Sequence, residues 1–482
     1  MARRTFVKHV STVGLGMALG VSSLRAVEAR PRRRYAIVGL GARSGLFQEA
    51  IEVTHKDEAV LVGICDHNRG RIARFQALSA QNGQTPPVAC EPEGFERMLR
   101  EQKVDVVIVT TPDAVHDDYV VRAMEAGCDA VSEKPMTTTP EKCARLLEAS
   151  RRTGRRLRVT HNYRYAPART QVKDLLMRGT IGDVMSVDFH WLLNTHHGAD
   201  YFRRWHSRKE ISGGLMIHKA SHHFDLVNWW LSAVPVSVSA TGRKQFYTPA
   251  TARRFGLKSH HERCRTCPEK EACSFYLDLA AEPRLKSLYL DHEHHDGYFR
   301  DQCVWRPEIN IEDSMNVLVN YDTGATLAYS LNAFNAWEGY TIAFNGTKGR
   351  IEHSMVEQVY VAGTEAVQGA VLKSGVHTRV IPLRGPAEAI EPWTGTGHHA
   401  GGDALMLKEL FSLEPVEDAY KRAADVRGGA LSVLVGAAAN RCFETGDSVR
   451  ISDLVAGIDR PDYTPMPTRE DPMPMPPHRR EA

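Results

Sequence analysis

Asp129-Ala130-Val131-Ser132-Glu133-Lys134-Pro135 reads as a short buried strand that runs directly into a Glu-Lys-Pro turn. Small and apolar side chains suit a strand covered on both faces, as a parallel sheet requires. Pro135 fixes the backbone immediately after Lys134. The turn therefore presents one ammonium group at the carboxyl edge of the sheet, where open α/β sheets bind their ligands.

The same strand pattern recurs upstream. Arg34-Tyr35-Ala36-Ile37-Val38 leads into Gly39-Leu40-Gly41-Ala42-Arg43-Ser44-Gly45 and then a helix. Gly39 and Gly41 permit a tight turn and close approach of the backbone to a pyrophosphate at the helix N-terminus. Ser44 replaces the usual third glycine and is small enough for the helix–strand contact. A second apolar strand, Ala59–Cys65, ends in Asp66, 25 residues beyond Gly41. An acid at that place accepts hydrogen bonds from ribose hydroxyls, which favours NAD over NADP. Arg69 and Arg71 nearby offer charge to a 2′-phosphate, and a helix N-cap is the other role open to Asp66. A third strand, Asp105–Thr110, is followed by Thr111-Pro112-Asp113-Ala114-Val115-His116 and a helix through Gly127. Strands alternating with amphipathic helices specify a doubly wound α/β domain.

Downstream, Leu157–Thr160 reads as a short strand running into His161-Asn162-Tyr163-Arg164-Tyr165-Ala166-Pro167, a polar, aromatic turn suited to a polyol. The segment Asn194–His206 mixes rings with Arg and His, again suited to carbohydrate. The sharpest pattern is Gly213–Asp225, read as part of a helix continuing through Trp229 and Trp230. His218 and His222 are four apart and share a face, and Asp225 is placed three beyond to orient His222. The pair also suits a metal, without an evident third ligand. The loop Gly395–Gly402, with His398 and His399, is a candidate cover.

The stretches GLG at 39–41, the acid at 66, TTPDAVH at 110–116, AGCDAVSEKP at 126–135 and NYRYAP at 162–167 together resemble the Gfo/Idh/MocA oxidoreductase family. The resemblance runs from about residue 33 to 450. It implies a Rossmann domain joined to a C-terminal α/β domain on a large, open, mostly antiparallel sheet. Residues 33–155 are expected to form the first, 156–459 the second, with a Cys-rich insertion at 260–303 and a Pro-rich tail at 460–482. It implies NAD contacts from Gly39, Gly41, Ser44, Asp66, Thr111, Pro112, His116, Glu133 and Lys134. Substrate contacts are expected from Asn162, Tyr163, Arg164, Tyr165 and Asp225, and catalysis from Lys134, His222 and His218. The family pattern on the later helix is Asp-x-x-x-His. His218 stands where the acid belongs, so which histidine takes the proton is open.

The insertion carries Cys264, Cys267 and Cys273 close together and Cys303 after a histidine-rich run. That spacing resembles a structural zinc or iron–sulfur site, with two disulfides as the alternative in an exported protein. Arg3-Arg4, a mildly apolar run from Val10 to Leu24 and a small-residue exit at Ala29 read as a twin-arginine export signal over residues 1–29. Export by that route places the protein in the periplasm or beyond.

Charged residues make up 25% of the 482-residue chain and the formal net charge is +3, which sets aside a strongly basic nucleic-acid binder. No segment reads as a membrane span. The expectation is an exported NAD-dependent oxidoreductase acting on a hydroxyl or keto group of a small carbohydrate, with a homo-oligomer allowed. Two alternatives stand beside it: a redox-neutral NAD-dependent glycoside hydrolase or lyase, and a sugar sensor that retains NAD without catalysis.

Overall fold

A computed structural model describes residues 31–357, 375–473 and 475. The export signal expected over residues 1–29 lies outside the described residues, as does most of the tail beyond 473. Strands are numbered in chain order. The first sheet holds β1 (Arg33–Val38), β2 (Ala59–Cys65), β3 (Val88–Cys90), β4 (Val106–Val109), β5 (Asp129–Ser132) and β6 (Leu157–Val159). Their order is β6-β5-β4-β1-β2-β3, every pair parallel. Helices pack against both faces, so β4 is buried along its whole length, which is why Val106–Val109 carries no polar residue.

The boundary expected at 155/156 falls later. β6, assigned to the second domain from sequence, pairs with β5 and completes the nucleotide-binding sheet. Its alternation of buried and exposed residues reflects its position near the sheet edge. A two-residue strand from far downstream, Ala424–Asp425, closes that edge antiparallel to it.

The second sheet contains nine strands among the described residues, centred on a long strand, Val184–Asn194. All its pairings are antiparallel except that between Val184–Asn194 and Thr326–Asn335. Along Val184–Asn194 the residues Val187, Phe189, Trp191 and Leu193 point into the core, while Ser186, Asp188 and His190 do not. That period of two leaves one face for water. Tight turns through Asp322-Thr323-Gly324 and Thr347-Lys348 join neighbouring antiparallel strands as hairpins. Trp191, Trp229 and Trp230 are fully buried in this core; truncating one to Ala costs ~3–5 kcal/mol.

One helix, Val426–Thr445, joins the two halves. Gly429 lies against Val159 and Met136, so a Cβ there would come within 2.9 Å of both side chains. At Gly436 a Cβ would lie 2.4 Å from the carbonyl oxygen of Met216. The small residues of this helix let it sit between the residue after Pro135 and the segment that carries His218. The described part of the tail hugs the second half: the Ser232 hydroxyl donates to the carbonyl of Thr464 at 2.7 Å, and Arg460 pairs with Asp322. Among the described residues no helix is long and apolar enough to cross a membrane.

Candidate active site

The carboxyl ends of β1, β2, β4 and β5 open onto one continuous cleft, whose far wall comes from the second half. Its nucleotide end is built mainly of backbone. Gly39 has φ +84°, and a Cβ on it would lie 2.6 Å from the Thr111 amide nitrogen, so only glycine lets the β1 and β4 turns meet. Gly41 and Gly45 line the cleft, and a Cβ on Gly45 would meet nothing within 4 Å. That open cradle, followed by a helix starting at Ser44, fits a dinucleotide pyrophosphate. The Ser44 hydroxyl donates to the Gly41 carbonyl at 2.7 Å and braces the turn.

Asp66 is buried, its carboxylate accepting from the Leu40 and Asn68 amides at 2.6 and 2.7 Å. Arg71 is clamped between Asp66 at 3.4 Å and Asp296 at 2.5 Å, and Arg69 pairs with Glu91 at 2.6 Å. Both arginines are thus committed, and two carboxylates crowd the place where a 2′-phosphate would bring further negative charge. The residues fit NAD better than NADP.

Residues 284–298 of the insertion lie over this end, which the sequence did not foretell. Tyr289 accepts from the Ala42 amide at 3.2 Å, Arg284 donates to the Ala42 carbonyl at 3.3 Å, and Asn68 donates to the His292 carbonyl at 3.0 Å. Gly70 admits the His292 ring so closely that a Cβ there would sit 2.2 Å from it.

At the reacting end, Lys134 emerges from β5 as expected. Its Nζ donates to the His218 carbonyl at 2.8 Å and stands 3.4 Å from His218 Nε2. His218 Nδ1 lies 2.5 Å from the Asp113 carboxylate, which comes from the TTPDAVH turn of the opposite half. An ammonium facing Nε2 requires the lone pair there, so Nδ1 carries the hydrogen and donates it to Asp113. Burial pushes the Asp113 carboxyl up, and the Lys134 charge opposes that push. Burial lowers Lys134 to about 8, against the pull of Asp113. His218 is held well below the ordinary imidazole range by burial and then by Lys134.

His116 braces the frame behind this group: one ring nitrogen is 2.8 Å from the Pro135 carbonyl and the other 2.9 Å from that of Thr111. Glu133 accepts from Arg43 at 2.6 Å, and the Lys134–Pro135 peptide is cis. Asp403 accepts from Asn162 at 2.6 Å and lies 2.8 Å from His399 Nδ1, so the candidate cover loop does contribute a cleft-lining residue.

His222 lines the same cleft, and its ring Nδ1 is buried with no hydrogen-bond partner among the described residues. Its ring stacks on Tyr163 at 4.2 Å with only 8° between planes. Burial first, then the Lys134 charge, keep it well below the usual imidazole range and hence neutral. The helix expected to carry both histidines without a break is two: Leu215–His218 and Ser221–Leu231. Asp225 does not orient His222. Its carboxylate takes a two-pronged ion pair from Arg164, at 2.7 and 2.6 Å, fully buried beneath the site.

Of the substrate residues read from NYRYAP, only Asn162 lines the cleft. Tyr163 supports His222 from below, Arg164 and Asp225 hold each other, and Tyr165 donates to Glu409 at 2.7 Å on the other side. A 3₁₀ turn, Asn162–Tyr165, explains the difference, because its tight winding points successive side chains in different directions. The 194–206 segment fares better: Tyr201, Arg204, Trp205 and His206 all line the cleft, and His206 stacks on Trp205 at 3.6 Å.

In the insertion all four cysteines are free, as are the other five. The expected zinc-type centre is not formed: among the described residues no group of three or more His, Cys, Asp or Glu side chains is placed to hold a metal ion.

Both halves of the fold have counterparts among known proteins. Residues 33–161 match the model of the Gfo/Idh/MocA oxidoreductase family's NAD-binding Rossmann fold, and 173–451 match that of its C-terminal alpha/beta domain. The chain is similar to the putative oxidoreductase YteT of Bacillus subtilis, 36% identical over 83% of this chain and 93% of that protein. It is 27% identical to D-glucoside 3-dehydrogenase of Escherichia coli, over 46% of this chain and 61% of the relative. Its fold is similar to that of the WlbA dehydrogenase of Bordetella pertussis, solved with NADH and UDP-GlcNAcA, with a TM-score of 0.57 and 20% identity over 87% of this chain and 99% of the other.

Proposed function

Because the chain belongs to the Gfo/Idh/MocA oxidoreductase family, we propose that it uses NAD to interconvert a hydroxyl and a keto group on a sugar or sugar derivative. The observation that carries the reading is the meeting of Lys134 with His218 and the uncommitted His222 ring in one cleft. Bound along the Gly39–Gly45 cradle and Asp66, NAD supplies the hydride acceptor or donor. The protein's own groups handle the proton. Lys134 donates to the reacting oxygen and holds its charge as the hydroxyl proton leaves. His222 takes that proton: burial and the Lys134 charge keep its ring neutral and able to accept, at a cost in basicity, while the same charge makes the hydroxyl beside it more acidic. His218, tied at Nδ1 to Asp113, fixes the Lys134 side chain. Asp113 thereby returns, from the other half, the carboxylate that His218 displaced. The faces of Tyr201 and Trp205 suit C–H surfaces of a sugar, and Asn162 and Arg204 suit its hydroxyls.

The cover formed by Arg284, Tyr289 and Asp296 supports a second reading. Oxidation of a glycoside, elimination of its aglycone and re-reduction need no exchange of nucleotide, and a covered cofactor suits that cycle. Purified protein given candidate glycosides separates the two: accumulation of reduced nucleotide marks net oxidation, whereas aglycone release without added NAD marks the redox-neutral cycle. The Arg3-Arg4 stretch supports export of the folded protein, which fractionation of expressing cells tests.

A further inference from the structure

The four cysteines of the insertion lie in one place. Cys264, Cys267, Cys273 and Cys303 all line a single small cavity, which they share with apolar residues such as Phe275 and Trp305 and with polar ones such as His261, Glu269 and Lys270. The fold brings them there deliberately in the sense of register: Arg263 and Gln302 form an antiparallel bridge, so Cys264 and Cys303 follow on adjacent chain segments. The Cys264 amide donates to the Asp301 carbonyl at 2.7 Å and the Cys303 amide to that of Glu262 at 3.0 Å, which fixes the pairing. Cys267 and Cys273 come from the turn that follows.

Donors surround the sulfurs. Arg203, itself buried, directs Nη1 at Cys264 Sγ at 3.2 Å, and the Trp305 amide points at Cys303 Sγ at 3.5 Å. Cationic and amide donors aimed at sulfur suit thiolates that carry charge, and they are wasted on neutral thiols. Three occupants were open from the spacing alone. Disulfides would join the sulfurs in pairs, and none is joined. A single zinc needs the sulfurs to converge on one point at ~2.3 Å, and no three of them are so placed. Four sulfurs that line one cavity, with no three placed to share a single ion, suit an occupant with several metal atoms, each taking one sulfur.

We propose that this ring ligates a [4Fe–4S] cluster that clamps the base of the insertion. Iron and inorganic sulfide come from outside as the assembled unit. Four cysteine sulfurs bond to four iron atoms, four thiol protons pass to solvent, and no oxidation state changes. The role is structural: the clamp holds the root of the segment whose outer part, 284–298, lies over the nucleotide cradle.

The test is elemental and spectroscopic, on the full chain purified without oxygen. About four iron and four acid-labile sulfide per chain, with broad visible absorbance that dithionite bleaches, support the assignment. Zinc in place of iron, or a metal-free chain whose mass shows two disulfides, overturns it. So does a metal-free chain that folds with all four thiols titratable. Because the unsubstituted protein gives the answer, no variant needs to fold. Cys303→Ser and Cys267→Ser should each lose the visible absorbance, whereas Cys128→Ser, in the Rossmann core, should keep it; absorbance unchanged in both insertion variants also overturns the proposal.

Discussion

Two buried carboxylates, Asp225 by its place in the sequence and Asp113 by its place in the structure, stand near the histidines of the cleft, and they take opposite roles. Asp225 sits three residues from His222 on the same helix, yet its oxygens are taken by Arg164 one layer below the cleft. Asp113 lies 105 residues from His218 and on the other half of the molecule, yet it holds His218 at 2.5 Å. A buried carboxylate is captured by the partner that best compensates its lost hydration, and a two-pronged guanidinium surpasses a neutral imidazole. Nearness along a helix is a weaker claim than complementary charge across a cleft.

Variants can break that comparison, starting with the largest effect. Lys134→Ala should lower kcat/KM by ~10²–10⁴ while circular dichroism stays unchanged, because the side chain serves the reacting oxygen rather than the core. Retained turnover would remove the lysine from the chemistry. Asp113→Asn should cost about 10²-fold in kcat with little change in Tm, since the isosteric amide can still occupy the space but cannot hold the His218 tautomer as the carboxylate does. Asp225→Ala should do the reverse. It strands the buried Arg164 charge and should destabilise the fold by ~3–5 kcal/mol in denaturant titration, with the activity of the remaining folded protein kept. If the two variants exchange these signatures, the roles assigned to the two acids are wrong.

A pH profile sharpens the same point. Lys134, lowered to about 8, must keep its proton to donate, so kcat/KM should fall as pH rises through about 8. Lys134→Arg, if active, should move that limb upward by several units, because guanidinium does not lose its proton in this range. The smallest effect is expected at the cover. Asp296→Ala frees Arg71 and removes one of two carboxylates, so it should raise NADP affinity relative to NAD by ~10-fold, about 1.4 kcal/mol, read by titration calorimetry.

The nucleotide half was legible because its chemistry is local. Gly39, Gly41, Asp66 and Lys134 stand at the ends of strands whose apolar runs reveal them, and the residue that matters follows directly in the chain. The reacting centre was legible only in part. Lys134, His218 and His222 lie in recognisable patterns, but Asp113, Tyr201 and Asp403 act through distances in space that no spacing encodes. Arg164 and Tyr165 misled because a polar, aromatic turn looks alike whether it faces a ligand or a buried acid. The cover at 284–298 gave no signal at all: its tyrosine, arginine and aspartate are ordinary surface residues until a neighbouring loop lies beneath them. The 194–206 segment shows the opposite case, where dense rings beside arginine and histidine did mark the cleft.

The helix Val426–Thr445 has a consequence for how the enzyme measures its substrate. Through Gly429 it touches Met136, next to the Lys134 turn, and through Gly436 it touches the backbone of Met216, two residues before His218. It acts as a spacer gauge whose thickness is one hydrogen atom at each contact. A methyl group added at Gly436 has no room and must drive the His218 segment away from Lys134. The jaws of the cleft are therefore set at a width fixed by the fold, and whatever enters is sized before its chemistry begins.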